Sequence, residues 1–94
     1  MNAPVNKPVD LVVEEYKRTR NEVDALYEQW MKDPSDKNHS NLCFKMGEYS
    51  TVLRFTSQHA AAIKDKVLAA ELETNRVFFG KRWTIVLHSG NNRQ

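Results

Sequence analysis

The sequence has few of the residues that define specialised structural classes. One cysteine, three glycines and three prolines among 94 residues are too few for a disulfide-rich scaffold, a collagen-like repeat or a low-complexity chain. No apolar run approaches the roughly 20 residues of a membrane span, and the N-terminus lacks the apolar core of a signal peptide. Apolar residues make up 40% and the net charge is +2, which excludes disorder driven by composition. We therefore expect one domain in a reducing, cytoplasmic setting.

A first amphipathic helix is predicted for residues 9–32. Its apolar positions alternate at spacings of three and four residues, which places them on one helix face. They are Val9, Val12, Tyr16, Thr19, Val23, Leu26 and Trp30. Asp33-Pro34 ends this helix, because a residue before proline avoids the helical conformation. Residues 1–8 hold two prolines and no periodicity, and we expect them to be flexible.

A second, longer helix is predicted for residues 41–74, with Ser35 or Ser40 as its N-cap. Its apolar stripe follows the same spacing and consists of Leu42, Met46, Tyr49, Leu53, Thr56, Ala60, Ile63, Val67, Ala70, Thr74 and Val77. Gly47 is its weak point, since glycine costs about 1 kcal/mol relative to alanine within a helix. Whether the helix continues through Gly47 stays open at this level.

The two stripes match each other in an antiparallel hairpin packed like a coiled coil. The best alignment places Trp30 opposite Met46. It also places Thr19 opposite Thr56, so that the polar residues of the first stripe and the second meet. The sequence therefore predicts a mainly α fold, a long antiparallel helical hairpin, within a single domain at 9–88.

The C-terminal segment changes character and predicts a short β element. Trp83, Ile85 and Leu87 alternate with Thr84, Val86 and His88, which is the period of a strand. Gly80-Lys81 could form a two-residue turn that joins 77–79 to 82–88 as a β-hairpin. The alternative is a continued helix to about residue 79, followed by one strand or a short third helix. Residues 89–94 are predicted to be a disordered tail.

Two helices cannot cover all the apolar side chains of this chain. Those outside the stripes include Leu11, Val13, Tyr27, Met31, Phe44, Val52 and Phe55. A small domain also buries a modest share of its surface. We therefore expect a homodimer or docking on a larger protein partner.

No residue pattern favours catalysis, a metal site or a cofactor. Cys43 follows His39 by four residues, but one cysteine and three scattered histidines do not form a zinc site. A cysteine between apolar neighbours is typically a small core residue. Glu48 and His59 stand roughly 16 Å apart on a helix, too far for an acid–base pair. We expect a non-enzymatic protein without metal or cofactor.

The most suggestive feature is a cluster of cations and aromatics at the C-terminus. Residues 76–94 carry four basic and no acidic side chains, which favours an acidic partner. The predicted partner-binding residues are Phe55, Phe78, Phe79, Arg82 and Trp83. The alternative is nucleic-acid binding through Arg76, Lys81, Arg82 and Trp83, with cations on phosphates and the ring stacked on bases. Small chains of this kind are frequent among phage and plasmid accessory proteins, and we expect an accessory or inhibitor protein that binds stoichiometrically.

Overall fold

The computed structural model describes residues 10–91, which form three α-helices. These are α1 (Leu11–Lys32), α2 (Asp36–Ala62) and α3 (Lys66–Asn91). The predicted mainly α class is confirmed. The flexible segment predicted at 1–8 lies outside the described residues. The disordered tail predicted at 89–94 overlaps the end of α3, which continues through Asn91. Residues 92–94 lie outside the described range.

Side-chain caps fix where α1 begins and α2 begins. The Asp10 carboxylate accepts hydrogen bonds from the backbone N–H groups of Val12 and Val13 at 3.1 and 3.3 Å. Ser35 is the N-cap of α2, and its hydroxyl accepts from Asn38 N–H at 3.2 Å. Both satisfy N–H groups that have no partner within the helix. Of the two serines that the sequence left open, the structure therefore selects Ser35.

The prediction of a single helix at 41–74 is wrong, because the helix ends at Ala62 and the chain reverses direction there. Lys64 has a φ of 58°, in the left-handed region. Its N–H bonds to the carbonyl of Ala61, and the N–H of Asp65 bonds to the carbonyl of Ala60. This pair of bonds is the Schellman motif that terminates helices. Asp65 then caps α3 by accepting from Leu68 N–H at 3.0 Å. Gly47, in contrast, lies within a continuous α2.

The predicted C-terminal β element is also wrong, since the described part of this segment is helical. Gly80 and Lys81 lie inside α3 rather than in a turn. Phe79 and Val86 point into the core, with Trp83 partly buried between them. Their spacings of four and three residues are helical. The alternation over 82–88 therefore does not reflect a strand, because alternate residues of this segment do not share the same exposure to solvent.

Helices α1 and α2 run antiparallel, but in a different register from the predicted one. His59 near the end of α2 bonds to Asp10 at the start of α1, at 2.7 Å. At the other end, the rings of Trp30 and His39 lie 5.9 Å apart. Trp30 therefore faces a residue about seven positions, or two turns, earlier in α2 than Met46. The pairing of Thr19 with Thr56 is wrong for the same reason.

The two buried threonines satisfy their hydroxyls within their own helices. Thr19 donates to the carbonyl of Glu15 at 2.8 Å, and Thr56 donates to the carbonyl of Val52 at 2.7 Å. Both side chains are fully buried. A buried hydroxyl needs such a partner, so neither threonine requires a polar residue on the facing helix.

Helix α3 folds back along α2, so that α2 packs against both other helices. The core combines residues of all three: Tyr16, Val23, Trp30, Leu42, Met46, Tyr49, Leu53, Ala60, Leu68, Leu72, Phe79 and Val86. The stripe predicted beyond Ala60 does not join this core, and Ile63, Val67 and Val77 are exposed. Among the described residues, no Cα atom of α1 lies within 8 Å of one of α3. Only long side chains therefore join those two helices.

Candidate interaction surfaces

Phe79 and Trp83, two of the predicted partner-binding residues, belong to the interior. Phe79 is 8% exposed. Its ring packs edge-on against Tyr49 of α2 and against Trp83, with both centroid distances at 5.0 Å. Trp83 is partly buried against the same core. Edge-to-face pairs of this kind contribute to packing, so both rings hold α3 on α2.

Arg82, another predicted partner-binding residue, joins α3 to α1. Its Nη1 donates to Oδ1 of Asp24 at 2.7 Å. The guanidinium carbon also lies 4.4 Å from the ring centroid of Tyr27. An ion pair and a cation–π contact thus engage the same side chain. The sequence offered no signal for this pairing, because the partners are separated by most of the chain.

A second set of polar contacts joins the same helices one to three turns away. The Tyr16 hydroxyl donates to Glu71 at 3.3 Å and accepts from the side-chain amide of Asn75. Arg20 lies 3.5 Å from the same Glu71 carboxylate. Burial, together with that carboxylate, raises the pKa of Tyr16. The hydroxyl therefore stays protonated and able to donate at neutral pH.

A small cleft of about 220 Å³ lies between these two sets of contacts. Its lining comprises Arg20, Val23, Asp24, Tyr49, Asn75, Phe78, Phe79 and Arg82. Ligand sites for small molecules are usually larger, at roughly 300–1,000 Å³. The polar groups around this cleft are also engaged with one another. The cleft is best described as the incompletely filled space between two helices that do not pack directly.

The cations proposed for nucleic acid do not form one free surface. Arg76 donates to Glu73 through Nε and Nη2, at 3.1 and 2.6 Å. Arg82 is bound to Asp24, while Lys81 is exposed. Arg76 and Lys81 point about 140° apart around the helix. The structure therefore does not bring the four residues of the alternative site together.

The thiol of Cys43 is partly buried beside His39. Its Sγ lies 3.7 Å from Nε2 and 3.8 Å from Nδ1 of the ring. Burial raises the pKa of the thiol, which disfavours the reactive thiolate. The His39 Nε2 donates to the carbonyl of Val86 at 2.9 Å. His39 therefore connects α2 to α3, a role that sequence reasoning missed.

Large apolar side chains remain exposed on all three helices. Phe44 and Phe55 are 77% and 60% exposed on α2. On α3 the exposed apolar residues include Val67, Val77, Phe78, Ile85 and Leu87. Of the predicted partner-binding residues, the structure thus leaves Phe55 and Phe78 at the surface, on different helices.

Two further classes of site find no support within residues 10–91. No group of three or more His, Cys, Asp and Glu side chains is arranged to hold a metal ion. No helix in this range combines the length and hydropathy of a membrane span. Comparison with known proteins found no matching family model, curated protein or solved structure.

Proposed function

We propose that this protein is a small non-catalytic interaction module that binds a larger protein partner stoichiometrically. The proposal includes the role of an accessory or inhibitor protein, of the type common in phages and plasmids, in a reducing, cytoplasmic setting. The observation that carries it is the exposure of Phe44 and Phe55 on one side of α2. Aromatic side chains are enriched in protein–protein interfaces.

Phe44 and Phe55 form a pair suited to anchor a partner. Eleven residues bring an α-helix back to nearly the same direction, so both rings point the same way about 16 Å apart. This direction is opposite the buried stripe of α2, and neither ring belongs to the core. The two rings therefore have no packing role within the described residues. Burying them against a partner protein would favour binding of that partner.

The test compares two substitutions that introduce the same charge into α2. Phe55→Asp places a carboxylate on the proposed surface, and Ser57→Asp places one at an exposed position that points about 160° away around the helix. A partner identified with the wild-type chain would be purified and titrated by calorimetry, and the complex weighed by light scattering. We expect a fixed stoichiometry, at least tenfold weaker binding for Phe55→Asp, and wild-type affinity for Ser57→Asp. Equal affinity of the two variants would place the partner elsewhere.

The alternative function, nucleic-acid binding at the C-terminal segment, has less support. The ion pairs of Arg76 and Arg82 leave Lys81 as the exposed cation of that group. Titration of the protein with a single-stranded oligonucleotide at low and moderate salt distinguishes the two functions. Binding that weakens steeply with salt, and further with Lys81→Ala, would favour the alternative, because contacts to phosphates release counterions.

A further inference from the structure

One side of α3 carries a second heptad stripe that the core does not use. Its members are Val67, Glu71, Thr74, Phe78, Lys81 and Ile85, at alternating spacings of four and three residues. All six are exposed, with Val67, Phe78 and Ile85 at 80%, 65% and 53%. Such a stripe is the sequence pattern of a helix that packs against another helix. It is separate from Phe44 and Phe55 of α2.

The stripe is symmetric about its midpoint at residue 76. Val67 and Ile85 lie nine residues to either side of it. An antiparallel copy of the helix centred there would place each of these apolar residues opposite the other. In a two-fold interface every contact occurs twice, so a surface must be complementary to itself. The apolar ends of the stripe meet this condition.

The two charged members of the stripe meet the same condition. Glu71 and Lys81 are opposite in sign and lie five residues to either side of residue 76. The two-fold arrangement therefore brings Glu71 of each copy to Lys81 of the other. Oε2 of Glu71 contacts Tyr16 and Arg20, and the side chain as a whole is 45% exposed. A parallel pair in register would instead bring like charges together.

The shape of the surface is also compatible with the two-fold arrangement at the remaining pair, Thr74 and Phe78. Thr74 and Phe78 lie two residues to either side of the midpoint, so Phe78 of one copy meets Thr74 of the other. A concavity of about 320 Å³ lies at this point, lined by Glu73, Thr74, Val77, Phe78 and Lys81. A phenylalanine entering it follows the knobs-into-holes packing of coiled coils.

We propose that this stripe of α3 is a homodimer interface, in which two copies pair antiparallel about residue 76 through reciprocal Glu71–Lys81 contacts. The partner is a second copy of the chain, because the charges, the apolar residues and the shape of this surface are each complementary to themselves under one two-fold rotation. It does not depend on the partner proposed for α2.

The first experiment is sedimentation velocity on the full chain over a wide concentration range. We expect a concentration-dependent species of twice the 10.9 kDa chain mass. Phe78→Glu should shift the equilibrium to monomer with unchanged helicity by circular dichroism, since the ring is exposed. Lys66→Glu, which lies on α3 outside the stripe, should leave the dimer unchanged. A wild-type chain that stays monomeric throughout, or a Phe78→Glu variant that dimerises normally, would overturn the proposal.

A charge-exchange experiment tests the register itself. Lys81→Glu and Glu71→Lys should each weaken self-association, because each variant opposes like charges across the interface. Mixing the two should restore a dimer, since every Glu then meets a Lys of the other variant. Failure to restore it, with both variants folded, would exclude this pairing. The affinity of the Phe78→Glu variant for the partner proposed for α2 is measured separately. The dimer proposal and the proposed partner binding can therefore be contradicted independently of each other.

Discussion

Arg82 and Asp24 connect two helices whose backbones do not pack against each other. The guanidinium of Arg82 on α3 donates to the carboxylate of Asp24 on α1 at 2.7 Å and also lies over the ring of Tyr27. Because α1 and α3 meet only through long side chains, this contact helps to set the spacing between them. The sequence predicted partner binding for Arg82, and the structure shows that the same side chain contacts α1 within the fold.

A double-mutant cycle measures how much this contact stabilises the fold. The two side chains are 39% and 50% exposed, and solvent screens such pairs. We expect Arg82→Ala to lower the free energy of unfolding by about 1 kcal/mol, with a coupling to Asp24→Ala of about 0.5 kcal/mol. Urea unfolding followed by circular dichroism gives both values. A coupling of zero would mean that the ion pair contributes nothing and that Arg82 acts through Tyr27 alone.

Two phenylalanine-to-alanine substitutions should behave in opposite ways. Phe79→Ala removes a buried ring that packs on Tyr49 and Trp83, and should destabilise the fold by about 3–5 kcal/mol. Phe55→Ala truncates an exposed ring and should change stability by less than about 0.5 kcal/mol. Thermal unfolding of both variants checks the contrast. Similar stability of the two variants would contradict the assignment of Phe79 to the core.

Lys64→Gly should stabilise the protein. Lys64 holds a φ of 58° at the end of α2, a conformation that is unfavourable for a residue with a Cβ. Glycine removes this strain but increases the entropy of the unfolded chain, so we expect a net gain of about 0.5–1 kcal/mol. Lys17→Gly is the matched control, because this exposed lysine lies in the middle of α1, where glycine should destabilise the helix. Chemical denaturation of the two variants decides whether the left-handed residue is a strained site.

Acid should weaken the contact between Asp10 and His59. The hydrogen bond from His59, together with the capped N–H groups of Val12 and Val13, lowers the pKa of Asp10 below its usual 3.8. A carboxyl with a lowered folded pKa stabilises the fold above its unfolded pKa, and this contribution is lost as pH falls through the folded value. Stability should therefore decline as the pH falls below about 4.

Asp10→Asn isolates this contribution. Asparagine keeps an oxygen that can cap α1 but carries no titrating charge. The variant should be less stable than the wild type at neutral pH, and the difference should shrink as the pH falls below that of the unfolded carboxyl. Unfolding midpoints measured across this range provide the comparison. A difference that stays constant with pH would show that the charge of Asp10 is not involved.

The sequence determined most of the buried residues of the first two helices. On α1 the predicted stripe residues Tyr16, Thr19, Val23 and Trp30 are buried, whereas Leu26 is partly buried and Val12 is exposed. On α2 the predicted stripe residues from Leu42 to Ala60 are all buried. This succeeds because a helix of 3.6 residues per turn directs such positions to one side. The same regularity conceals the register, since a shift of seven residues superimposes the stripe on itself. The short connection at 33–35 decides it.

Only the tertiary structure decided which face of the C-terminal third is buried. Residues 66–91 carry two apolar stripes, one with Leu68, Leu72 and Phe79 and the other with Val67, Phe78 and Ile85. The pattern alone does not tell which of them faces the core. The reversal at Lys64 folds α3 back against α2 and buries the first stripe. Because neither glycine nor proline marks that reversal, the local sequence contained no strong signal for it, and the choice between the two faces was made by packing.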